Sequence, residues 1–239
     1  MRSPTESGIW DIRDEVDSTQ TIAAQHLKSG SPVGCVFSRH QTQGRGRFNR
    51  TWLSSPGDSI AMSLIFRDWA DHPAPHLVGM TVACAAAAKL QCELQWPNDL
   101  VFGDRKVGGI LTELLPDETG RRVPVVGVGI NLNQKSFPAE ISNRATSLAL
   151  YRGGTNDPET LAREIVENLP NLPNARSWAD LSAVWMLFDH TPGKRYRLPD
   201  GGEGVAVGIG PEGQLLCQVG GEIRSVLAAE AIFGPQPAS

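Results

Sequence analysis

The stretch Pro75–Leu90 constrains the fold most. It is long, Ala-rich and apolar throughout, so it reads as a helix with no solvent face. Such a helix is stable only when other elements cover it on all sides. The flanking sequence supplies that cover. β-rich runs occur at Val33–Ser38, Ser59–Phe66, Leu94–Trp96, Leu100–Phe102, Lys106–Leu115 and Val123–Leu132. Gly103-Asp104 and the polar run Pro116–Arg122 mark turns between them. Further helices are expected over 19–29, 158–169 and roughly 175–188, the first capped by Asp17, Ser18 or Thr19 and stopped by Gly30. After His190 the texture changes. Short β runs at 195–198, 204–209, 215–219 and 222–226 alternate with Asp-Gly-Gly, Pro-Glu-Gly and Gly-Gly turns, with no helix pattern before Ala228–Ala231. This predicts a small antiparallel barrel or sandwich of about 45 residues, too small for a core of its own and so packed on the larger body. The expected division is 1–189 and 190–239, with the tail 235–239 frayed.

Composition excludes several classes. The chain is 40% hydrophobic and 20% charged, an ordinary globular balance. No segment reaches the roughly 20 apolar residues needed to cross a membrane, and the N-terminus has no apolar signal region. Cys35, Cys84, Cys92 and Cys217 form no Cys-x-x-Cys pair, and the five histidines have no metal spacing. Reduced, buried thiols in a cytoplasmic protein are expected.

Against a net charge of −4, residues 39–50 hold Arg39, Arg45, Arg47 and Arg50 and no carboxylate. Local positive charge on an acidic chain points to an anion, and the Arg fork suits phosphate. Gly44 and Gly46 let the backbone approach a ligand. A solvated connection and an RNA contact are the competing readings; the single short run and a pI near 5.7 weigh against RNA. No Gly-Lys-Ser/Thr follows, so this is not a Walker loop.

Four more constellations carry chemistry. Asp17-Ser18-Thr19-Gln20 opens a helix, where hydroxyls and free N–H groups either cap the helix or bind a polar ligand head. Trp96-Pro97-Asn98-Asp99 puts polar residues between apolar strands, either as a plain turn or as an acidic group organising a metal or a nearby lysine. Lys106 precedes Gly108-Gly109, where a strand is weakened in favour of close approach. Gly127 and Gly129 share one strand face. Either they leave a slot for a flat ring, or they relieve crowding against the Ala-rich helix.

Taken in order, these segments resemble the biotin protein ligase family. The matching residues are Asp17-Ser18-Thr19, Gln41-Thr42-Gln43-Gly44-Arg45-Gly46-Arg47 with Arg50-Thr51-Trp52, Trp96-Pro97-Asn98-Asp99, Lys106-Val107-Gly108-Gly109-Ile110-Leu111 and Gly127-Val128-Gly129-Ile130-Asn131-Leu132-Asn133. The resemblance implies an α+β fold, a mixed-sheet catalytic domain with a small C-terminal SH3-like barrel. It implies ATP-dependent activation of biotin as biotinyl-5′-AMP, with Mg²⁺, and transfer to a lysine of a biotin carboxyl carrier protein domain. It assigns Ser18, Thr19 and Gln41 to the ureido ring of biotin. Gly44, Arg45 and Arg47 would close over carboxylate and phosphate, and Lys106 would sit at their junction. Gly109 and Gly127 would line the slot. Arg50, Trp52, Asn98 and Asn131 would contact the nucleotide, and Asp99 would be the metal ligand. The loop is expected to move without ligand, since its charges repel and its apolar anchors are few.

Three departures stand out. Gln95 replaces the Lys usual before Trp-Pro-Asn-Asp, Gln20 replaces an Asn, and nothing before residue 17 could form a winged helix. Binding to operator DNA is therefore not expected; the oligomer is a monomer or homodimer. The rivals are a lipoate or octanoate ligase or transferase of the same fold, and a non-catalytic biotin sensor.

Overall fold

The computed structural model describes residues 8–227, so the suggested helix at 228–231 and the tail at 235–239 lie outside the described residues. The elements are β1 (Trp10–Val16), α1 (Thr19–Lys28), β2 (Cys35–Gln41), β3 (Gly44–Arg45), β4 (Thr51–Trp52), β5 (Ser59–Ile65), α2 (Pro75–Leu90), β6 (Glu93–Gln95), β7 (Asp99–Phe102), β8 (Arg105–Pro116) and β9 (Arg122–Asn131). There follow α3 (Leu148–Arg152), α4 (Pro158–Asn168), α5 (Trp178–Trp185), β10 (Arg195–Arg197), β11 (Glu203–Ile209), β12 (Leu215–Val219) and β13 (Glu222–Val226).

A seven-stranded sheet in the order β1-β2-β5-β9-β8-β7-β6 forms the body. β1 joins β2 in parallel, and the other pairings are antiparallel. Strand alternation divides the sheet into two unlike faces. One face carries Phe37, Ile60, Met62, Leu64, Ile110, Val126, Val128 and Ile130, packed with α2, α4 and α5 in the main core. The apolar α2 is enclosed there as its sequence demands, with Leu77, Val78 and Ala83–Ala87 all buried. The other face begins as a second, smaller core, in which Ala23 and Leu27 of α1 cover Val36, Ile65, Val123 and Val125. Further along the same face the large residues stop. Ala61, Ser63, Gly109, Gly127 and Gly129 take their place, and the register aligns them side by side.

The C-terminal β runs form a four-stranded antiparallel sheet, β10-β11-β12-β13. It joins the main core through Tyr196, Leu198, Ala206, Leu215, Cys217 and Val226, as expected of a piece without a core of its own. All four cysteines are free and buried. Burial pushes their thiols up, to about 12 for Cys84 and Cys92, so none is a reactive thiolate at neutral pH. Among the described residues no helix is long and apolar enough to cross a membrane.

Three elements lie outside the sequence expectation: β1, α3, and the β3–β4 hairpin inside the Arg-rich loop. Boundaries also move. β2 runs on to Gln41 instead of ending at Ser38, and α5 is shorter than 175–188.

Candidate active site

The uncovered part of the α1 face is the floor of a site, and α1 points its N-terminus at it. Ser18 occupies the N-cap position in extended conformation, yet its side chain makes no capping bond. Gln41, at the end of β2, caps instead: its Oε1 accepts from the Thr19 backbone N–H at 2.7 Å and from Thr19 Oγ1 at 3.1 Å. Ser63 Oγ on the floor donates to Thr19 Oγ1 at 2.8 Å. Ser18, Thr19, Gln41 and Ser63 are all buried, a polar cluster at one end of an otherwise apolar layer. Ser63 was not singled out by sequence; a hydroxyl within an apolar strand was its only signal.

Two side chains lie over the glycine row where the slot is expected. The crowding alternative falls, because α2 lies on the opposite face of the sheet. The indole of Trp52 covers the floor: a Cβ built on Gly129 would lie 2.7 Å from Trp52 Cε2 and 2.9 Å from Cζ2. Over Gly127 the neighbour is the Gln20 amide, 3.4 Å from the same construction. At 129 only glycine leaves room for the indole, whereas at 127 a Cβ would meet the amide at ordinary contact distance. Among the described residues, Trp52 Nε1 and Gln20 Oε1 are buried without a hydrogen-bond partner. Buried polar atoms are normally paired, so two orphans facing one slot mark where a polar ligand can complete them. Gly44, buried in β3, pairs with Trp52 across the hairpin, and Gly109 pairs with Gly129. Trp52, just past the Arg-rich run, is an apolar anchor for the loop, in keeping with the expectation that such anchors are few.

Two of the cations meet at the Asn98–Asp99 turn. Lys106 Nζ lies 2.6 Å from Asp99 Oδ1 and 6.0 Å from the centre of a Trp52 ring. Arg47 donates to Asn98 Oδ1 at 3.2 Å, and Asn98 Nδ2 donates to the Ile110 carbonyl at 2.6 Å. Burial lowers the Arg47 pKa, with Asp99 opposing the shift. Arg45 reaches Glu113 at 3.6 Å. Glu113 was not anticipated, although strand alternation from Gly109 through Leu111 puts it on the slot face. Arg50 is exposed, and Arg39 does not belong to the cluster. Ser38 faces the slot opposite Ala61, so its neighbour Arg39 faces α4 and pairs with Glu159 at 3.2 Å and Asp14 at 3.4 Å. Asn131 extends the glycine row. Its Nδ2 donates to the Thr146 carbonyl at 3.1 Å and its Oδ1 accepts from Gln134 at 3.3 Å.

Of the two readings of the Trp96–Asp99 segment, the lysine-organising one matches the geometry, since Asp99 holds Lys106. Among the described residues no three His, Cys, Asp or Glu side chains converge as a metal cage. Gln95 is buried and pairs with Asp99 in register.

A glycine-floored face with a polar cluster at one end and Arg47 and Lys106 at the other suits a ligand with a polar ring, an apolar middle and an anionic tail. A model of the biotin/lipoate A/B protein ligase family matches residues 13–131. The bifunctional ligase/repressor BirA of Bacillus spizizenii is 32% identical over 239 residues, covering 93% of this chain and 73% of that protein. The biotin–[acetyl-CoA-carboxylase] ligase of Mycobacterium tuberculosis is 29% identical, covering 93% and 88%. Among solved structures, biotin protein ligase from Aquifex aeolicus in complex with biotin and ATP is similar at a TM-score of 0.72 and 26% identity, covering 93% of this chain and 97% of that one.

Proposed function

The chain belongs to the biotin/lipoate A/B protein ligase family, and from that premise we propose that it is a ligase that activates biotin with ATP and transfers it to a lysine of a carrier domain. The single observation that carries this reading is the polarity of the site: Thr19, Gln41 and Ser63 at one end, Arg47 and Lys106 at the other. The ureido ring of biotin offers an N–H and carbonyl face to Ser18, Thr19 and Gln41. Its bicycle lies along Gly127 and Gly109. Its carboxylate reaches Lys106.

The first step joins two anions. A carboxylate oxygen attacks the α-phosphorus of ATP, the bond to the bridging oxygen breaks, and pyrophosphate leaves, giving the mixed anhydride biotinyl-5′-AMP. The protein's part is alignment and charge neutralisation by Arg45, Arg47 and Lys106. Asp99, 2.6 Å from its Nζ, holds Lys106 in place. Mg²⁺ on the triphosphate, with Asp99 as its protein carboxylate, would neutralise further phosphate charge. The adenine is assigned to Trp52 and Asn131, with Arg50 and Asn98 at the phosphates. In the second step an uncharged lysine amine attacks the acyl carbon, the amide forms, and AMP departs. The names of relatives such as the M. tuberculosis ligase support a carboxylase carrier domain as acceptor. The division at 189/190 separates the slot-bearing part from the small sheet.

The test is mass spectrometry of the purified chain incubated with MgATP and either biotin or octanoate, then denatured to release acyl-adenylate. Biotinyl-AMP from the first sample alone is the expected result. Octanoyl-AMP would move the chain to the lipoate branch of the family. Biotin binding without any adenylate would mean a sensor.

A further inference from the structure

The turn that presents Asn98 and Asp99 is not held by the main sheet alone. Trp96, which begins it, is fully buried. Its backbone N–H donates to Thr191 Oγ1 at 2.9 Å. Its indole Nε1 donates to the Gly213 carbonyl, before β12, at 2.9 Å. Its carbonyl accepts from the Tyr196 hydroxyl, on β10, at 2.8 Å, and the two rings meet edge to face with centroids 6.0 Å apart. Every polar group of Trp96 is therefore committed to the segment beyond residue 190. Beyond Pro97, the side chains of Asn98 and Asp99 hold Arg47 and Lys106.

We infer that Tyr196 is a positioning residue of the adenylation site, acting through the Trp96 carbonyl to fix the turn on which Arg47 and Lys106 are registered. This rests on the ligase reading above. A tyrosine hydroxyl in a dry environment is a directional tether, and losing it leaves the Trp96 carbonyl buried without its donor. The small sheet then does more than cover apolar surface. It sets the spacing between the two cations that meet the triphosphate, while the ring-binding end, built on α1 and β2, is left untouched.

Three variants of the full chain test this. Tyr196→Phe removes only the hydroxyl, and Thr191→Val removes the acceptor of the Trp96 N–H at nearly constant shape. Val226→Ala weakens the small sheet at β13, the strand farthest from β10. Adenylate formation is followed by pyrophosphate release well below the melting temperature, and hydrogen exchange is followed over residues 94–110. Tyr196→Phe and Thr191→Val should each lower kcat and raise the KM for MgATP, together about tenfold in kcat/KM, with biotin affinity unchanged within about twofold. Exchange at the Ile110 amide, which donates to the Asn98 carbonyl, should accelerate in both. Val226→Ala should lower the melting temperature while leaving these kinetics and the local exchange as in wild type. Wild-type kinetics and wild-type exchange in both Tyr196→Phe and Thr191→Val would overturn the inference, as would losses in all three variants that merely follow melting temperature. Absence of pyrophosphate release from the wild type would refute the ligase reading; the exchange data would still decide whether Tyr196 fixes the turn.

Discussion

Replacing Gly129 by alanine should unseat the Arg-rich loop without unfolding the protein. The added Cβ would lie 2.7, 2.9 and 3.0 Å from three atoms of the Trp52 ring. Carbon atoms prefer separations of about 3.5–4.0 Å, so the ring must lift by about 0.8 Å or leave. Overpacking of this kind costs about 1–3 kcal/mol. Where the strain is relieved decides the outcome. Gly129 lies in β9, bonded to β5 on one side and β8 on the other. Trp52 lies on β4, paired only with the two-residue β3. The hairpin is the weaker partner and should yield. A penalty of about 1–3 kcal/mol raises the open population of the loop roughly 5- to 150-fold. Trypsin reads that population directly, because Arg45, Arg47 and Arg50 are all in the loop and cleavage of a briefly opened segment tracks its opening equilibrium. The expected result is at least fivefold faster cleavage after these arginines, mapped by mass spectrometry, with a melting temperature close to wild type. Equal cleavage rates in the two proteins would refute the idea that the indole on the glycine floor anchors the loop. A fall in melting temperature with faster cleavage everywhere would refute the assignment of strain to the hairpin.

Other perturbations follow from the same geometry. Arg45→Ala and Lys106→Ala should each slow adenylate formation roughly 100-fold, the usual loss for a charge-stabilising donor, with melting little changed; wild-type rates in both would remove these residues from the mechanism. Gln41→Ala takes away the acceptor of both Thr19 donors and should weaken biotin binding about tenfold by calorimetry; unchanged affinity would refute the ring-end assignment. Asp117, between β8 and β9, accepts from Thr119 and Arg121, and these bonds, the Thr119 hydroxyl foremost, lower its carboxyl from 3.8 to about 2. A depressed folded value means stabilisation that is full above the unfolded value and lost as pH falls toward 2. Asp117→Asn should thus melt below wild type at pH 7, with the gap closing between pH 4 and 2. A gap independent of pH would contradict the charge-based account.

The sequence made some features legible and hid others for identifiable reasons. The helix α2 was readable to the residue because an apolar run of that length has no alternative to burial. β1 was not, since Asp11, Arg13, Asp14 and Glu15 give it the composition of a loop. It is a sheet-edge strand, and its charges are met by His26, His40, Arg39 and one another. α3 is barely more than a turn, dependent on Ser147 accepting from the Leu150 N–H, which no periodicity can signal. Within the site, the alternation of Gly127 and Gly129 announced a slot. It could not announce that Trp52, from a distant hairpin, would lie in it. Arg39 was grouped with Arg45 and Arg47 by nearness in the chain; the two-residue period of a strand sends it to the other face. The dependence of Trp96 on Tyr196 and Gly213 is a contact between segments about a hundred positions apart, and local pattern carries no trace of such pairs.

The four buried thiols give this protein a set of internal clocks. Cys35 is in β2, Cys84 in α2, Cys92 just ahead of β6, and Cys217 in β12 of the small sheet. With each thiol shielded and its pKa raised, a maleimide can react only after the surrounding structure opens. Labelling at all four sites at one rate would mean that the small sheet and the body open as a single cooperative unit. Faster labelling at Cys217 would mean that the sheet lifts off first and leaves Trp96 exposed, so a routine alkylation time course would measure how firmly the two halves of the molecule hold each other.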